Sequence, residues 1–262
     1  MIGRLAPRWR VLEQGASDGA TNMAVDAALL ARAQRSGEGV LRLYAWSHPT
    51  LSFGRNERTL GRFAAARLLE AGVRSVRRPT GGRALLHHRE LTYSVTAPAA
   101  ALTLGESYRA INAFLIAGLA RLGVPATEAV RTRMALRPDG AACFATPAPG
   151  ELVVEGAKLV GSAQLREGCA LLQHGSILFD DDQGMVATLR VEDEPHRNLA
   201  PVATLRGLLG RPVAFAEVAR ALRDALDATV TPQPLAESDV GAYAPVAELR
   251  AHFADPEWTW RR

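Results

Sequence analysis

Arg77-Arg78-Pro79-Thr80-Gly81-Gly82-Arg83 is the stretch on which the fold class turns. Residues 73–78 in front of it have the composition of a strand. Residues 84–97 behind it, with the β-formers Leu91, Tyr93 and Val95, read as one long strand or a hairpin. A glycine turn that joins strand to strand differs from the Walker and Rossmann patterns, in which the glycines lead into a helix. Adjacent glycines let the backbone approach a ligand and aim N–H groups at an anion or carbonyl, and the flanking guanidiniums add fixed positive forks. Local composition alone favours the plainer alternative, a hairpin turn with exposed arginines.

Upstream, residues 21–34 carry Met23, Ala24, Ala27, Leu30 and Ala31 at helical spacing behind the cap-forming Ser17, Asp18 and Thr21. Residues 40–46 and 51–55 read as strands around the turn Ser47-His48-Pro49-Thr50, and residues 63–71 as a helix stopped by Gly72. Downstream, Tyr108, Ile111, Leu115 and Leu119 line one face of a helix over 104–122 that stops at Gly123. Residues 132–150 are rich in Pro, Gly and Ala and read mostly as loop. Residues 151–155, 158–166 and 170–179 look like successive strands of a second sheet or a sheet edge. Helical segments follow at 184–189, 202–208 and 215–228, and the chain closes on a polar, proline-punctuated tail. No repeat or linker interrupts this order. It predicts one α+β domain over residues 1–262, with a mixed or antiparallel central sheet flanked by helices.

Composition bounds the function. At 262 residues, 48% apolar and 22% charged, the chain can bury a sizeable core and is neither disordered nor fibrous. A net charge of +4 is too small and dispersed to argue for nucleic acid. No apolar run suits a signal peptide or a membrane span, so a cytoplasmic protein is expected. Cys143 and Cys169 form no CxxC pair and read as free thiols in a reducing compartment. No His, Cys or carboxylate spacing suits a metal, and none is expected.

Two further segments could carry chemistry. In Glu155-Gly156-Ala157-Lys158-Leu159-Val160-Gly161-Ser162-Ala163-Gln164, a lone lysine entering an apolar strand is commonly an exposed edge residue. The small residues Gly161, Ser162 and Ala163 would also leave room for a ligand oxygen beside Lys158. In Gln173-His174-Gly175-Ser176 the histidine reads as a core residue bonded to backbone or as a site residue. His87-His88 has the same ambiguity, with the two rings on opposite faces of an extended segment.

Taken together and in order, these segments resemble the lipoate and octanoate attachment family: lipoate-protein ligase A, the octanoyltransferases and, more distantly, the biotin-protein ligase catalytic domain. The glycine stretch with Ala84, His87 and Leu91-Thr92-Tyr93-Ser94 is similar to the family's ligand loop and following strand. Lys158 with Gly161-Ser162-Ala163-Gln164, then Gln173-His174-Gly175-Ser176, is similar to its lysine strand and return strand. Asn22-Met23-Ala24 with Asp26, Leu41-Arg42 with Tyr44 and Trp46, Ser52 with Gly54, and Glu257-Trp258 with Arg261 also match. The resemblance runs from Trp9 onward and implies a biotin/lipoate protein ligase-like catalytic domain.

It further implies Arg77, Arg78, Thr80, Gly81, Gly82, Arg83, His87, Gly161, Ser162, Ala163 and His174 as substrate-binding residues and Lys158 as catalytic. Cys143 divides the family's reactions. Cys143-Phe144-Ala145-Thr146-Pro147 has the Cys-Phe-x-x-Pro form of the nucleophile in the octanoyltransferases of many Gram-positive bacteria, and no cysteine follows His174. Arg83, where the ligases often have a third glycine, points the same way, and the length leaves no room for the extra C-terminal domain of the two-part ligases. The resemblance thus implies an acyl-carrier protein as donor. Lipoyl domains of 2-oxoacid dehydrogenases, or the glycine cleavage H protein, would be acceptors. It implies no cofactor; ATP and Mg enter only if the chain is a ligase. His88 replaces a frequent aspartate and Gly150 a frequent aromatic residue, two departures placed to alter acyl or carrier preference.

Overall fold

Alternation of buried faces organises the chain, which the computed structural model describes over residues 1–98, 101–129, 150–191 and 202–262. Strand β1 (Arg8–Ser17) leads into helix α1 (Gly19–Ser36), and β2 (Glu38–Trp46) and β3 (Thr50–Phe53) follow. Asp18 starts α1 by accepting a hydrogen bond from the Thr21 N–H at 2.8 Å, which satisfies an otherwise orphaned donor of the first turn. Next come α2 (Ala65–Glu70), β4 (Arg74–Arg77), β5 (Leu85–His87), β6 (Glu90–Ala97) and α3 (Leu104–Arg121). Helix α3 opens on a capping box between Thr103 and Glu106. The second half holds β7 (Thr127–Glu128), β8 (Leu152–Val154), β9 (Ala157–Glu167), β10 (Ala170–Leu178), α4 (Met185–Thr188), α5 (Leu205–Leu209) and α6 (Phe215–Asp227). The chain ends in β11 (Gln233–Pro234), α7 (Val246–Ala254) and α8 (Pro256–Trp260).

The sheet is mixed, as expected. Its eight strands run β11-β1-β2-β6-β10-β9-β8-β7, with β1 parallel to β11 and β2 and the remaining pairs antiparallel. A smaller sheet, β4-β3-β5, lies apart from it. Strands β8 to β10 extend the main sheet toward its edge strand β7, and the second sheet is built from the segments around the glycine stretch instead. The expected long strand or hairpin over 84–97 is divided at His88-Arg89. β5 pairs with β3 in the small sheet, while β6 pairs with β2 and β10 in the large one. Strand β1, which the sequence reading passed over, lies inside the main sheet, and the tail read as polar and proline-punctuated contains α7 and α8.

Strand β6 shows how the layers form. Leu91, Tyr93, Val95 and Ala97 face the main core with Ile111, Leu115 and Leu119 of α3 and Val218, Leu222 and Leu226 of α6. Each such aliphatic side chain removed from water stabilises the fold by about 1.5–3 kcal/mol. The alternate residues Glu90, Thr92, Ser94 and Thr96 are also buried. They belong to the opposite face, where Ser94 bonds to Asp26 of α1. Burying a polar row is costly unless it is hydrogen-bonded. Thr92, Ser94 and Glu90 Oε1 are bonded, whereas Glu90 Oε2 and Thr96 Oγ1 are buried with no partner among the described residues, and this row borders the candidate site. No helix among the described residues is long and apolar enough to cross a membrane.

Candidate active site

The glycine stretch emerges from β4 and is folded by its own arginines. Arg77 is fully buried, and its guanidinium donates to the carbonyls of Gly54 (2.6 Å), Glu57 (2.9 Å) and Thr259 (2.9 Å). The Trp258 indole donates back to the Arg77 carbonyl at 2.9 Å. Arg77 thereby ties the small sheet to the loop after β3 and to α8. Burial, aided by the nearby Arg261, pulls its guanidinium down to about 10. Arg78 donates to the Ser52 carbonyl and hydroxyl, both at 3.0 Å, and to the carbonyls of Gly81 and Arg83, both at 2.8 Å. It curls the loop around itself, so that a Cβ on Gly82, whose φ is +97°, would stand 2.6 Å from Arg78 Nη2. Gly54 closes the other side; a Cβ there would meet the Gly82 carbonyl oxygen at 1.9 Å. Arg83 is half-buried.

Beneath the loop, Thr80 Oγ1 lies 2.6 Å from His174 Nε2, and His174 Nδ1 lies 2.9 Å from Asp26 Oδ2. Burial opposes charge on Asp26, but Arg42 and His174 outweigh it and hold the carboxyl below its usual range. Arg42 Nη1 and Ser94 Oγ each donate to Asp26 Oδ1 at 2.8 Å, and Tyr44 Oη donates to Oδ2 at 3.1 Å. Burial pulls the His174 imidazole down despite Asp26, with Arg78 and His87 adding to the effect, so the ring is neutral at pH 7. An ionised carboxylate only accepts. Nδ1 therefore carries the His174 proton, and Nε2 accepts the Thr80 hydroxyl.

A second polar chain runs alongside. His87 Nε2 lies 2.8 Å from Ser52 Oγ, and its Nδ1 lies 2.8 Å from Glu90 Oε1. Thr92 and Ser176 also donate to that oxygen, each at 2.6 Å. The His87 ring stacks on Trp46 with centroids 4.0 Å apart, and the Trp46 indole donates to Thr92 Oγ1.

On β9, Gly161, Ser162 and Ala163 stand opposite Ser176, Gly175 and His174 of β10. Ser162 Oγ lies 2.7 Å from Tyr93 Oη, which also accepts from Gln173 Nε2 at 2.9 Å. Burial raises the Tyr93 phenol to about 12. A Cβ on Gly175 would meet Gly161 O at 2.5 Å and Ser162 Oγ at 2.8 Å, so the strands approach there only because the residue is glycine. Lys158, five residues before Ala163 or about 17 Å along an extended strand, is fully buried, with Nζ 2.6 Å from Glu151 Oε1. It is not an exposed edge residue.

The structure thus brings Thr80 and His174 into direct contact, joins Arg78 to His87 through Ser52, and gathers Gly161, Ser162 and Ala163 along the strand beside His174. It pairs Lys158 with Glu151, and Arg77 with main-chain carbonyls. Cys143 lies outside the described residues; Cys169 is exposed. Among the described residues no group of three His, Cys, Asp or Glu side chains could hold a metal ion. Site residues that the sequence reading did not assign are Asp26, Arg42, Ser52, Glu90, Ser94 and Glu151. For Glu90 and Ser94 the signal lay in β6, where Glu90, Thr92, Ser94 and Thr96 alternate with apolar residues in a strand that is buried throughout. Asp26, Arg42 and Ser52 stood in the sequence only as matches to the family, with no role attached.

A small sheet clasping a glycine loop against a larger mixed sheet, with a buried lysine on a neighbouring strand, defines a lipoyl-ligase-like catalytic domain. The family model described as the lipoyl protein ligase A/B catalytic domain matches residues 18–227, and the chain belongs to that family. Among curated proteins it is 41% identical over 275 residues to octanoyltransferase LipM of Kyrpidia tusciae, covering 97% of this chain and 99% of the relative. It is 34% identical over 278 residues to octanoyltransferase LipM of Bacillus subtilis, covering 97% and 98%. Among solved structures, the bi-partite lipoate protein ligase of Thermoplasma acidophilum superposes with a TM-score of 0.77 at 18% identity, covering 97% of this chain and 96% of that one. Lipoate-protein ligase A bound with ATP superposes with a TM-score of 0.76 at 20% identity, covering 97% and 98%. At those identities the likeness is one of fold.

Proposed function

We propose that the chain is an octanoyltransferase of protein lipoylation. The observation that carries this reading is the near full-length match to curated octanoyltransferases. The Cys-Phe-x-x-Pro form of Cys143-Phe144-Ala145-Thr146-Pro147 supports it independently. Residues 1–262 act as one cytoplasmic catalytic domain. The donor is an octanoyl or lipoyl thioester on an acyl-carrier protein, and the acceptor is a lysine of a lipoyl domain or of a glycine cleavage H protein.

A free acid does not acylate an amine at a useful rate, whereas a thioester is already activated, so neither ATP nor Mg is required. The Cys143 thiolate attacks the thioester carbonyl, and the carrier's thiol leaves with a proton, giving an acyl-cysteine. The neutral acceptor amine then attacks that carbonyl. The amide forms, the amine proton is lost, and the Cys143 thiolate is released. Lys158, with backbone N–H groups near Gly161 or in the glycine loop, stabilises the oxyanion of each addition. The small residues Gly161, Ser162 and Ala163 leave room for the acyl chain beside His174. Arg78 and His87 hold the loop in shape, and Arg77 fixes its base.

The test incubates the enzyme and a lipoyl domain with octanoyl-acyl-carrier protein and no ATP, and in parallel with free lipoate and ATP, and weighs the acceptor. Octanoyl transfer without ATP is expected. Intact-mass spectrometry should detect an enzyme adduct that hydroxylamine removes and Cys143→Ala lacks. Modification only with lipoate and ATP would make the chain a ligase, and modification in neither would leave a binding protein.

A further inference from the structure

We propose that Asp26 is a positioning residue of the acyl-transfer site, acting through the tautomer of His174 on Thr80 and so on the glycine loop. The proposal rests on the octanoyltransferase reading and adds a residue to it. Three elements meet in one line: Asp26 from α1, His174 from β10 and Thr80 from the loop, joined at 2.9 Å and 2.6 Å. All three are buried, and Asp26 and Thr80 are fully so. An apolar trio of similar volume would pack the same space without the desolvation cost of a carboxylate. What the polar trio adds is direction. Asp26 fixes the proton on Nδ1, so that Nε2 can only accept and the Thr80 hydroxyl can only donate.

The loop is held at Thr80 from both sides. The hydroxyl is bound by His174, and the Thr80 carbonyl accepts the Arg55 N–H at 2.8 Å. Gly81 and Gly82 follow directly, and their N–H groups reach a developing oxyanion only if the residue before them is fixed. Reversing the tautomer would set an Nε2 proton against the Thr80 hydroxyl proton. That hydroxyl must then rotate to accept from Nε2–H, which leaves its own proton to find another acceptor in a buried site and re-aims Thr80 at the head of the loop.

The geometry supplies a nearly isosteric probe. Arg42 and Ser94 bond to Asp26 Oδ1, and His174 to Oδ2. In Asp26→Asn the retained oxygen serves Arg42 and Ser94, while the new amide donates one N–H to Nδ1 and turns the other toward Tyr44 Oη, which must then accept instead of donate. Arg42 also keeps the Asn22 carbonyl at 3.0 Å, the Asn22 side-chain oxygen at 2.9 Å and Gln14 Oε1 at 2.7 Å.

The experiment measures ATP-free transfer from octanoyl-acyl-carrier protein to a lipoyl domain, with long-range proton–nitrogen NMR of histidine-labelled protein to read the His174 tautomer. Wild type should show Nδ1–H, and Asp26→Asn should show Nε2–H. Asp26→Asn should lower kcat at least about tenfold while KM changes less than about threefold. Thr80→Val should match that loss, Thr80→Ser should restore most of the rate, and Asp26→Asn combined with Thr80→Val should fall no further than either alone. A reversed tautomer with kcat within about twofold of wild type, an Nε2–H tautomer in wild type, or additive losses overturns the proposal. If Asp26→Asn fails to fold, Thr80→Val reads the same line from its other end, and a wild-type kcat there overturns it equally. If wild-type protein transfers nothing from the thioester, the octanoyltransferase reading falls first and this proposal with it. Wild-type transfer beside an unaffected Asp26→Asn removes this proposal alone.

Discussion

Lys158 Nζ stands 2.6 Å from Glu151 Oε1, with the lysine side chain fully removed from solvent and the glutamate nearly so. A buried ammonium is tolerated only where a partner offsets its lost hydration. Glu151→Ala should therefore destabilise the protein by about 3 kcal/mol, the usual cost of removing one member of a buried pair. Urea denaturation checks it, and a change below about 0.5 kcal/mol would mean that the pair adds nothing to stability.

Lys158→Arg keeps the charge but replaces a compact ammonium with a planar fork in a fully enclosed position. Both Lys158→Arg and Lys158→Ala should lose most transfer activity. Lys158→Ala should also slow alkylation of Cys143 by iodoacetamide near neutral pH, followed by peptide mass spectrometry. Wild-type rates in both assays would assign the lysine to packing.

Gly54→Ala places a Cβ 1.9 Å from the Gly82 carbonyl oxygen, a backbone atom that side-chain rotation cannot relieve. The glycine loop must move, so the variant should lose at least about 2 kcal/mol and most activity together. Thermal unfolding and the ATP-free assay measure the two. Retention of full activity would show that the loop's position is unimportant to the reaction.

Arg77 spends its fork on carbonyls from two distant segments, and a lysine cannot reach them all. Arg77→Lys should cost about 3 kcal/mol, because buried carbonyls are left unsatisfied. Hydrogen exchange should rise first in α8 and in the loop following β3. Faster exchange confined to other elements would argue against this staple.

His174 and Asp26 both contribute to the acid side of the stability curve, along with Asp18, Glu38 and Asp182, whose carboxyls are also held low. His174 is held below its unfolded value near 6.5, so the unfolded chain binds its proton first, and the stability this group contributes is present above about 6.5 and is lost as pH falls below it. Asp26 is also held low, and its contribution is lost only as pH falls below about 3.9 toward its folded value. Denaturation free energy should thus fall first below about 6.5 and again in the carboxylate range, where Asp26 and the other lowered carboxyls act together, and His174→Gln should remove the upper fall. An unchanged pH profile in that variant would exclude His174 as its source.

What the sequence determined by itself was set by local chemistry. Helices such as α1 and α3 announce themselves through apolar periodicity and caps, β9 and β10 through β-forming composition, and the glycine stretch through residues that few other backbones require. The combination of Arg77 to Arg83, Lys158 and His174 was enough to indicate the family before any contact was known. Only the tertiary structure decided which strands pair. The chain crosses between sheets at His88-Arg89 with no proline or glycine to mark it, because the change is enforced by β3 on one side and by β2 and β10 on the other. The same holds for the partners of the buried polar groups. Asp26 and His174 are 148 residues apart, and Arg77 and Thr259 are 182. No local rule couples such positions. They are matched because, once both faces of β6 are covered, an enclosed donor or acceptor is costly unless it finds a complement on whichever element the packing brings near.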